Sequence, residues 1–250
     1  MQRLIRSASW LALAAAGAAQ AQPGTVRFDN WGYFQSNIGG AGQWQYRPRI
    51  FLPYGLGGDW TTTTRFDLPM LYTNQAGREN PDGKWETGIG NWFVDQSVGT
   101  PELAPNFRMS AGVRLVAPTA KGPPFGADQW QWAPSVGASY ALPGGRIVLA
   151  PLVRYFFSFH ATESGASQIR SLNLFPAVRF GLPDGWTLAF YPENPIAYND
   201  VTNKWFVPID ALLVKRVSER FEFGFGGAWG LVKDNPQYRY IVNGRATWYF

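Results

Sequence analysis

The chain closes on Gln237-Tyr238-Arg239-Tyr240-Ile241-Val242-Asn243-Gly244-Arg245-Ala246-Thr247-Trp248-Tyr249-Phe250. One set of alternate positions is Tyr238, Tyr240, Val242, Gly244, Ala246, Trp248 and Phe250; the other is Gln237, Arg239, Ile241, Asn243, Arg245, Thr247 and Tyr249. Successive side chains of a strand point to opposite faces, so this period predicts a strand with an aromatic and small apolar face and a mostly polar one. Hydrocarbon on one side and water on the other would select such a pattern.

At the other end, Arg3 and Arg6 precede an apolar run from Trp10 to Ala19 that finishes in Ala19-Gln20-Ala21. This is the layout of a secretory signal peptide with an A-x-A site, and cleavage is expected near Ala21. The run is shorter than the roughly 20 residues of a spanning helix. Residues 1–21 are therefore set apart from the fold, and 22–250 form one domain. With no Cys in the chain, lipidation after the site is closed.

Removing Arg3 and Arg6 takes the formal charge from +5 to +3, because no acid lies in the leader. That charge is too small and too dispersed for a nucleic-acid partner. No Cys and one His leave neither a disulfide framework nor a multi-histidine metal site, so no metal and no cofactor are expected. The remaining chain has no 18-residue apolar stretch yet is dense in aromatics, with eleven of the twelve Trp. Lipid residence without apolar helices requires a closed barrel, because every backbone N–H and C=O in hydrocarbon must be paired.

Twelve alternating segments bounded by turn residues support this fold: 25–35, 43–55, 59–72, 85–97, 106–118, 129–142, 146–160, 167–181, 186–198, 204–216, 221–232 and 237–250. If the chain starts in the periplasm, every even strand ends in a periplasmic turn. Gly55-Leu56-Gly57-Gly58, Pro143-Gly144-Gly145, Pro183-Asp184-Gly185 and Ser218-Glu219-Arg220 are tight, and only 98–105 is long. The intervening connections are longer and richer in Gly, Asn and charge, as external loops are. In this topology Trp31, Trp44, Trp85, Trp130, Trp132, Trp205 and Trp229 fall near external strand ends, and Trp60, Trp186 and Trp248 near periplasmic ends. Two interfacial girdles are expected.

A soluble sandwich would also alternate, but it would bury its apolar face. Here the apolar faces run unbroken, as in Phe221, Phe223, Phe225, Gly227, Trp229, Leu231, while the opposite face of that strand is Glu222, Gly224, Gly226, Ala228, Gly230. So sparse a face is expected to be the wall of a lumen.

The C-terminal ending on Phe resembles the assembly signal of bacterial outer-membrane barrels, with Tyr240, Trp248 and Phe250 as its key positions. Tyr46-Arg47-Pro48 with Leu52-Pro53-Tyr54, and Gly57-Gly58-Asp59-Trp60 leading to Arg65, Pro69 and Tyr72, resemble the MetA-pathway of phenol degradation family. Thr87-Gly88-Ile89-Gly90-Asn91 is similar to its Gly-x-Gly-Asp segment, with Asn91 where an Asp is usual. Val113-Arg114-Leu115-Val116-Ala117-Pro118-Thr119, Gln131-Trp132-Ala133-Pro134-Ser135, Leu182-Pro183-Asp184-Gly185-Trp186 and Asn203-Lys204-Trp205 with Val207-Pro208 continue the resemblance in the family's order. It implies a transporter-like outer-membrane barrel loosely associated with aromatic-compound catabolism, and it brings no catalytic set.

With polar faces turned inward, the lumen is expected to carry Arg47, Arg49, Arg65, Asp67, Glu86, Arg108, Arg114, Arg154, Arg179, Glu193, Asp210, Glu222, Arg239 and Arg245. The basic surplus would favour anions or negatively polarised solutes. The alternative is that these groups pair across strands and partly plug the barrel. Ser158 and His160, placed by the alternation on one strand face near an external end, raise a lipid-modifying hydrolase, with Glu163 as a candidate third member. Here the Ser precedes the His, the pair would face the lumen rather than the bilayer, and no enzyme is expected. Gly39-Gly40-Ala41-Gly42 and Gly224-Phe225-Gly226-Gly227 lack the strand-to-helix context of a phosphate loop. The expectation is a twelve-stranded transmembrane antiparallel up-and-down barrel in the outer membrane of a Gram-negative bacterium. Its partners would be outer-membrane lipid and the barrel-assembly machinery, and it would serve passive or gated uptake of small organic solutes. A non-conducting structural barrel is the second possibility.

Overall fold

In the computed structural model, which describes residues 25–235 and 237–250, seventeen strand segments form one closed antiparallel sheet. They are β1 (Arg27–Ser36), β2 (Gly42–Gly57), β3 (Trp60–Asp67), β4 (Met70–Thr73), β5 (Glu86–Ile89) and β6 (Phe93–Gly99). Next come β7 (Phe107–Val116), β8 (Gln129–Ala141), β9 (Ile147–Leu149), β10 (Leu152–Ala161), β11 (Arg170–Phe175) and β12 (Val178–Gly181). The last are β13 (Trp186–Phe190), β14 (Ile196–Asn199), β15 (Lys204–Ser218), β16 (Phe221–Lys233) and β17 (Tyr240–Tyr249).

Five crossings are built from two segments each: β3 with β4, β5 with β6, β9 with β10, β11 with β12, and β13 with β14. Seventeen segments less five breaks are twelve crossings, the number expected from the alternation. Closure comes from β17 lying against β1 in continuous register from Arg27↔Tyr249 to Ser36↔Tyr240, so no edge is left unpaired. Residues 1–21, read from the sequence as a signal peptide, lie outside the described residues.

Proline explains four of the breaks. Pro69, Pro151, Pro176, and Pro192 with Pro195 each withhold a ladder donor where the crossing is interrupted. The fifth break, Gly90-Asn91-Trp92, has another cause. The Asn91 side chain turns to the connection after β7, donating to the Ala127 carbonyl at 2.7 Å and accepting from the Ala120 N–H at 3.1 Å.

The outside carries the apolar faces. Trp44, Phe66, Met70, Ile89, Val113, Val136, Leu149, Val153, Ile209, Phe225, Leu231 and Val242 are exposed around the wall, the outer surface of a barrel set in hydrocarbon. Aromatic pairs crowd the two ends: Phe34–Trp44, Tyr72–Trp85, Tyr198–Trp205 and Trp229–Tyr240 at the long-loop end, Trp186–Phe223 and Phe221–Trp248 at the tight-turn end. Two expectations about faces need correction. Trp31 is not in a girdle but inside the barrel, 1 % exposed and stacked on Tyr33 at 5.4 Å. Tyr238 does not share the outward face of Tyr240, because β17 begins only at Tyr240; it packs edge-on against Phe206 in the interior at 4.8 Å.

Candidate functional site

The inward face of β2, β3, β6, β7 and β10 builds an ionic network. Register sets Arg49 opposite Asp67, Arg65 opposite Asp95, Asp95 opposite Arg114, and Arg154 opposite Ser135, all on the lumen face. Asp67 accepts from Arg49 Nε at 2.9 Å and from Arg65 at 2.6 and 2.7 Å. Asp95 accepts from Arg114 at 3.0 and 2.9 Å and from Arg154 at 3.0 Å. The guanidinium of Arg114 also lies 4.0 Å from the centre of the Phe93 ring, a cation–π contact that suits a partly dehydrated guanidinium.

One pair crosses the lumen. Arg49 meets Glu193 in a bidentate fork, Nη1 to Oε1 at 2.7 Å and Nη2 to Oε2 at 2.9 Å. Arg49 sits on the second crossing and Glu193 on the ninth, on opposite sides of the barrel, so the chain between β13 and β14 must turn inward. Pro192 and Pro195 remove it from the ladder, and Tyr191 adopts φ +52°. Asp210 on the neighbouring β15 then holds the bend by accepting from the N–H groups of Glu193 at 3.1 Å and Asn194 at 2.8 Å, and from Asn194 Nδ2 at 3.0 Å. Asp210 is thus occupied in positioning the constriction.

At the tight-turn end Arg245 pairs with Glu222, and Arg27 with Asp29 at 3.3 Å; Asp29 also accepts from Thr247 Oγ1 at 2.9 Å. Three inward arginines, Arg47, Arg108 and Arg179, have no carboxylate within 4.0 Å among the described residues. Arg179 is buried, and its Nε has no hydrogen-bond partner among the described residues. Beside these groups an apolar cluster packs in the interior: Trp31, Tyr33, Ala197, Phe206, Leu212, Val214, Ala228, Tyr238 and Ile241.

The long-loop end is partly covered. Arg78 Nε pairs with Glu79 at 2.8 Å and Arg78 Nη1 with Asp128 at 3.1 Å; the Glu79 N–H donates to the Pro123 carbonyl at 3.0 Å. The connection after β7 drives Phe125, 4 % exposed, against Gly88. A Cβ there would lie 2.4 Å from the Phe125 ring, so only glycine admits this contact.

The expected lumen residues thus divide. Arg49, Arg65, Asp67, Arg114, Arg154, Glu193, Asp210, Glu222 and Arg245 are joined in ion pairs or hydrogen bonds, while Arg47 and Arg179 face inward without an acid. Glu86 and Arg239 are exposed at the rim. Asp95 was not among the expected residues. A single period carried from Glu86 puts even numbers inward, but the break at Gly90-Asn91-Trp92 shifts the phase and turns Phe93, Asp95, Ser97 and Gly99 inward instead. A parity shift also undoes the Ser158/His160 pair. A β-bulge lies between them: Ser158 opposes the inward Gln131, whereas His160 opposes Trp130. Ser158 Oγ accepts from the Ile169 N–H at 3.0 Å, and Phe159 stacks outward on Trp132. The two side chains therefore do not share a face.

Among solved structures, the COG4313 outer membrane channel from Pseudomonas putida F1 is similar, with a TM-score of 0.72, 14 % identity, and cover of 95 % of this chain and 100 % of that one. The NanC porin gives 0.56 at 11 % identity over 88 % and 97 %. Outer membrane phospholipase A from Escherichia coli gives 0.52 at 10 % identity over 88 % and 89 %. No family model and no curated protein matches the sequence. These likenesses establish the fold of outer-membrane barrels. That fold hosts channels and an enzyme alike, so function has to be argued from the site.

Proposed function

We propose that this barrel is an outer-membrane channel for small organic solutes, narrow or gated at the Arg49–Glu193 crossing and biased towards anions. The observation that carries the proposal is the surplus of inward arginine over carboxylate, with Arg47, Arg108 and Arg179 left without an acid. Charges lining a low-dielectric wall focus the field along the path and raise the local concentration of the opposite ion. Twelve strands lie between filled eight-stranded barrels and open sixteen-stranded porins. The exposed apolar belt supports residence in the outer membrane, with insertion by the barrel-assembly machinery guided by Tyr240, Trp248 and Phe250.

Single-channel recording of the refolded barrel in a planar bilayer under a salt gradient tests this. Small discrete steps whose reversal potential marks anion preference are expected, and Glu193→Gln should raise the conductance by weakening the crossing. A second reading, a non-conducting structural barrel, is favoured by the same ion pair and the packed apolar cluster. Folded protein that inserts without any current step would establish that reading in place of the channel.

A further inference from the structure

Above the Arg49–Glu193 crossing lies a cavity of about 270 Å³ whose wall includes Tyr33, Gln45, Arg47, Glu193, Tyr238 and Ile241. Its charge balance is uneven. Both carboxylate oxygens of Glu193 are taken by Arg49, and Oε2 also accepts from the Tyr33 hydroxyl at 3.4 Å. Arg47 donates through Nη2 to the Gln45 amide oxygen at 3.1 Å, but its buried Nε has no partner. The cavity therefore holds one uncompensated positive charge, that of Arg47. Tyr238, 4 % exposed, closes the same wall.

The geometry points to a binding subsite for a small organic monocarboxylate, its charge held by Arg47. A guanidinium is planar and forked, and a carboxylate matches it with two parallel hydrogen bonds. A single negative charge balances Arg47, whereas a dianion would meet the Glu193 carboxylate in the opposite wall. The rest of the wall is mostly polar, with the amide side chains of Gln35, Gln45, Asn194 and Gln237 lining it, and the Tyr33 ring already carries Trp31 and the Arg47 guanidinium. The volume is below the range of drug-sized pockets. The subsite deepens the channel reading and rests on it for the route by which the ligand arrives.

Equilibrium binding to the folded barrel in detergent micelles, read by titration calorimetry, tests the subsite without requiring conduction. Benzoate is the probe and benzamide its neutral isostere. Benzoate is expected to bind at least about tenfold more tightly than benzamide, and Arg47→Gln should remove that difference. Equal binding of the two compounds, no binding of benzoate, or benzoate affinity unchanged in Arg47→Gln would each overturn the proposal. The comparison of the two compounds on the unmodified barrel stands even if a variant does not fold. A barrel that binds benzoate yet passes no current keeps the subsite and loses the channel, whereas one that conducts without binding loses only the subsite.

Discussion

On one side of the barrel interior, from β2 to β10, inward positions hold Arg49, Arg65, Arg114 and Arg154 around Asp67 and Asp95. On the other side, from β14 to β17 and on to β1, an apolar cluster of Ala197, Phe206, Leu212, Val214, Ala228, Ile241 and Trp31 packs together, with Asp210 and the ion pairs Glu222–Arg245 and Asp29–Arg27 on the same strands. Glycine makes the second packing possible: a Cβ on Gly230 would lie 2.9 Å from the Phe206 ring. The ionic side depends on partners being present, because a buried charge left alone is far costlier than a paired one. The apolar side depends on volume being filled, because a gap forfeits dispersion and burial together. Water should therefore follow the ionic groups and be excluded from the apolar cluster.

The sharpest way to break this contrast is Asp95→Ala, which strands Arg114 and Arg154 together. It should cost about 3–5 kcal/mol, measured by urea unfolding in micelles, and a loss no greater than that of a surface control would show that lumen water solvates the arginines well enough alone. Phe206→Ala should cost about 3 kcal/mol, a cavity in a side chain that is fully buried. Unlike the first loss, this one should be unaltered when salt is raised. Gly230→Ala presses a methyl into the same ring and should cost about 1–3 kcal/mol by overpacking; no loss would mean that Phe206 can move aside. At the small end, Ser158→Ala should cost about 1 kcal/mol through the Ile169 hydrogen bond. His160→Ala should change stability by less than about 0.5 kcal/mol. Their double mutant should be additive within about 0.5 kcal/mol, and a larger coupling would restore the pair that the bulge separates.

Much of the architecture was legible because it is local. Period-2 patterning, Pro and Gly positions and aromatic spacing each act within a few residues, and they located twelve crossings and the tight turns. Errors arose where phase slipped. The Gly90-Asn91-Trp92 break hid Asp95, the bulge after Ser158 created a false pair, and the late start of β17 sent Tyr238 outward on paper when it packs inward. Trp31 was misplaced for another reason: interfacial residence and burial in a lumen make the same demand for an amphipathic aromatic.

By itself, then, the order of residues determined a transmembrane antiparallel barrel and a set of inward arginines, since side-chain alternation and backbone pairing in hydrocarbon leave few other arrangements. Only the tertiary structure decided how those arginines are used. Arg49 and Glu193 are 144 residues apart in the chain, and nothing local tells one to meet the other across a lumen. Which charges are spent on each other, and which, like Arg47, are left for a solute, depends on closure of the barrel and on the inward bend that Asp210 holds.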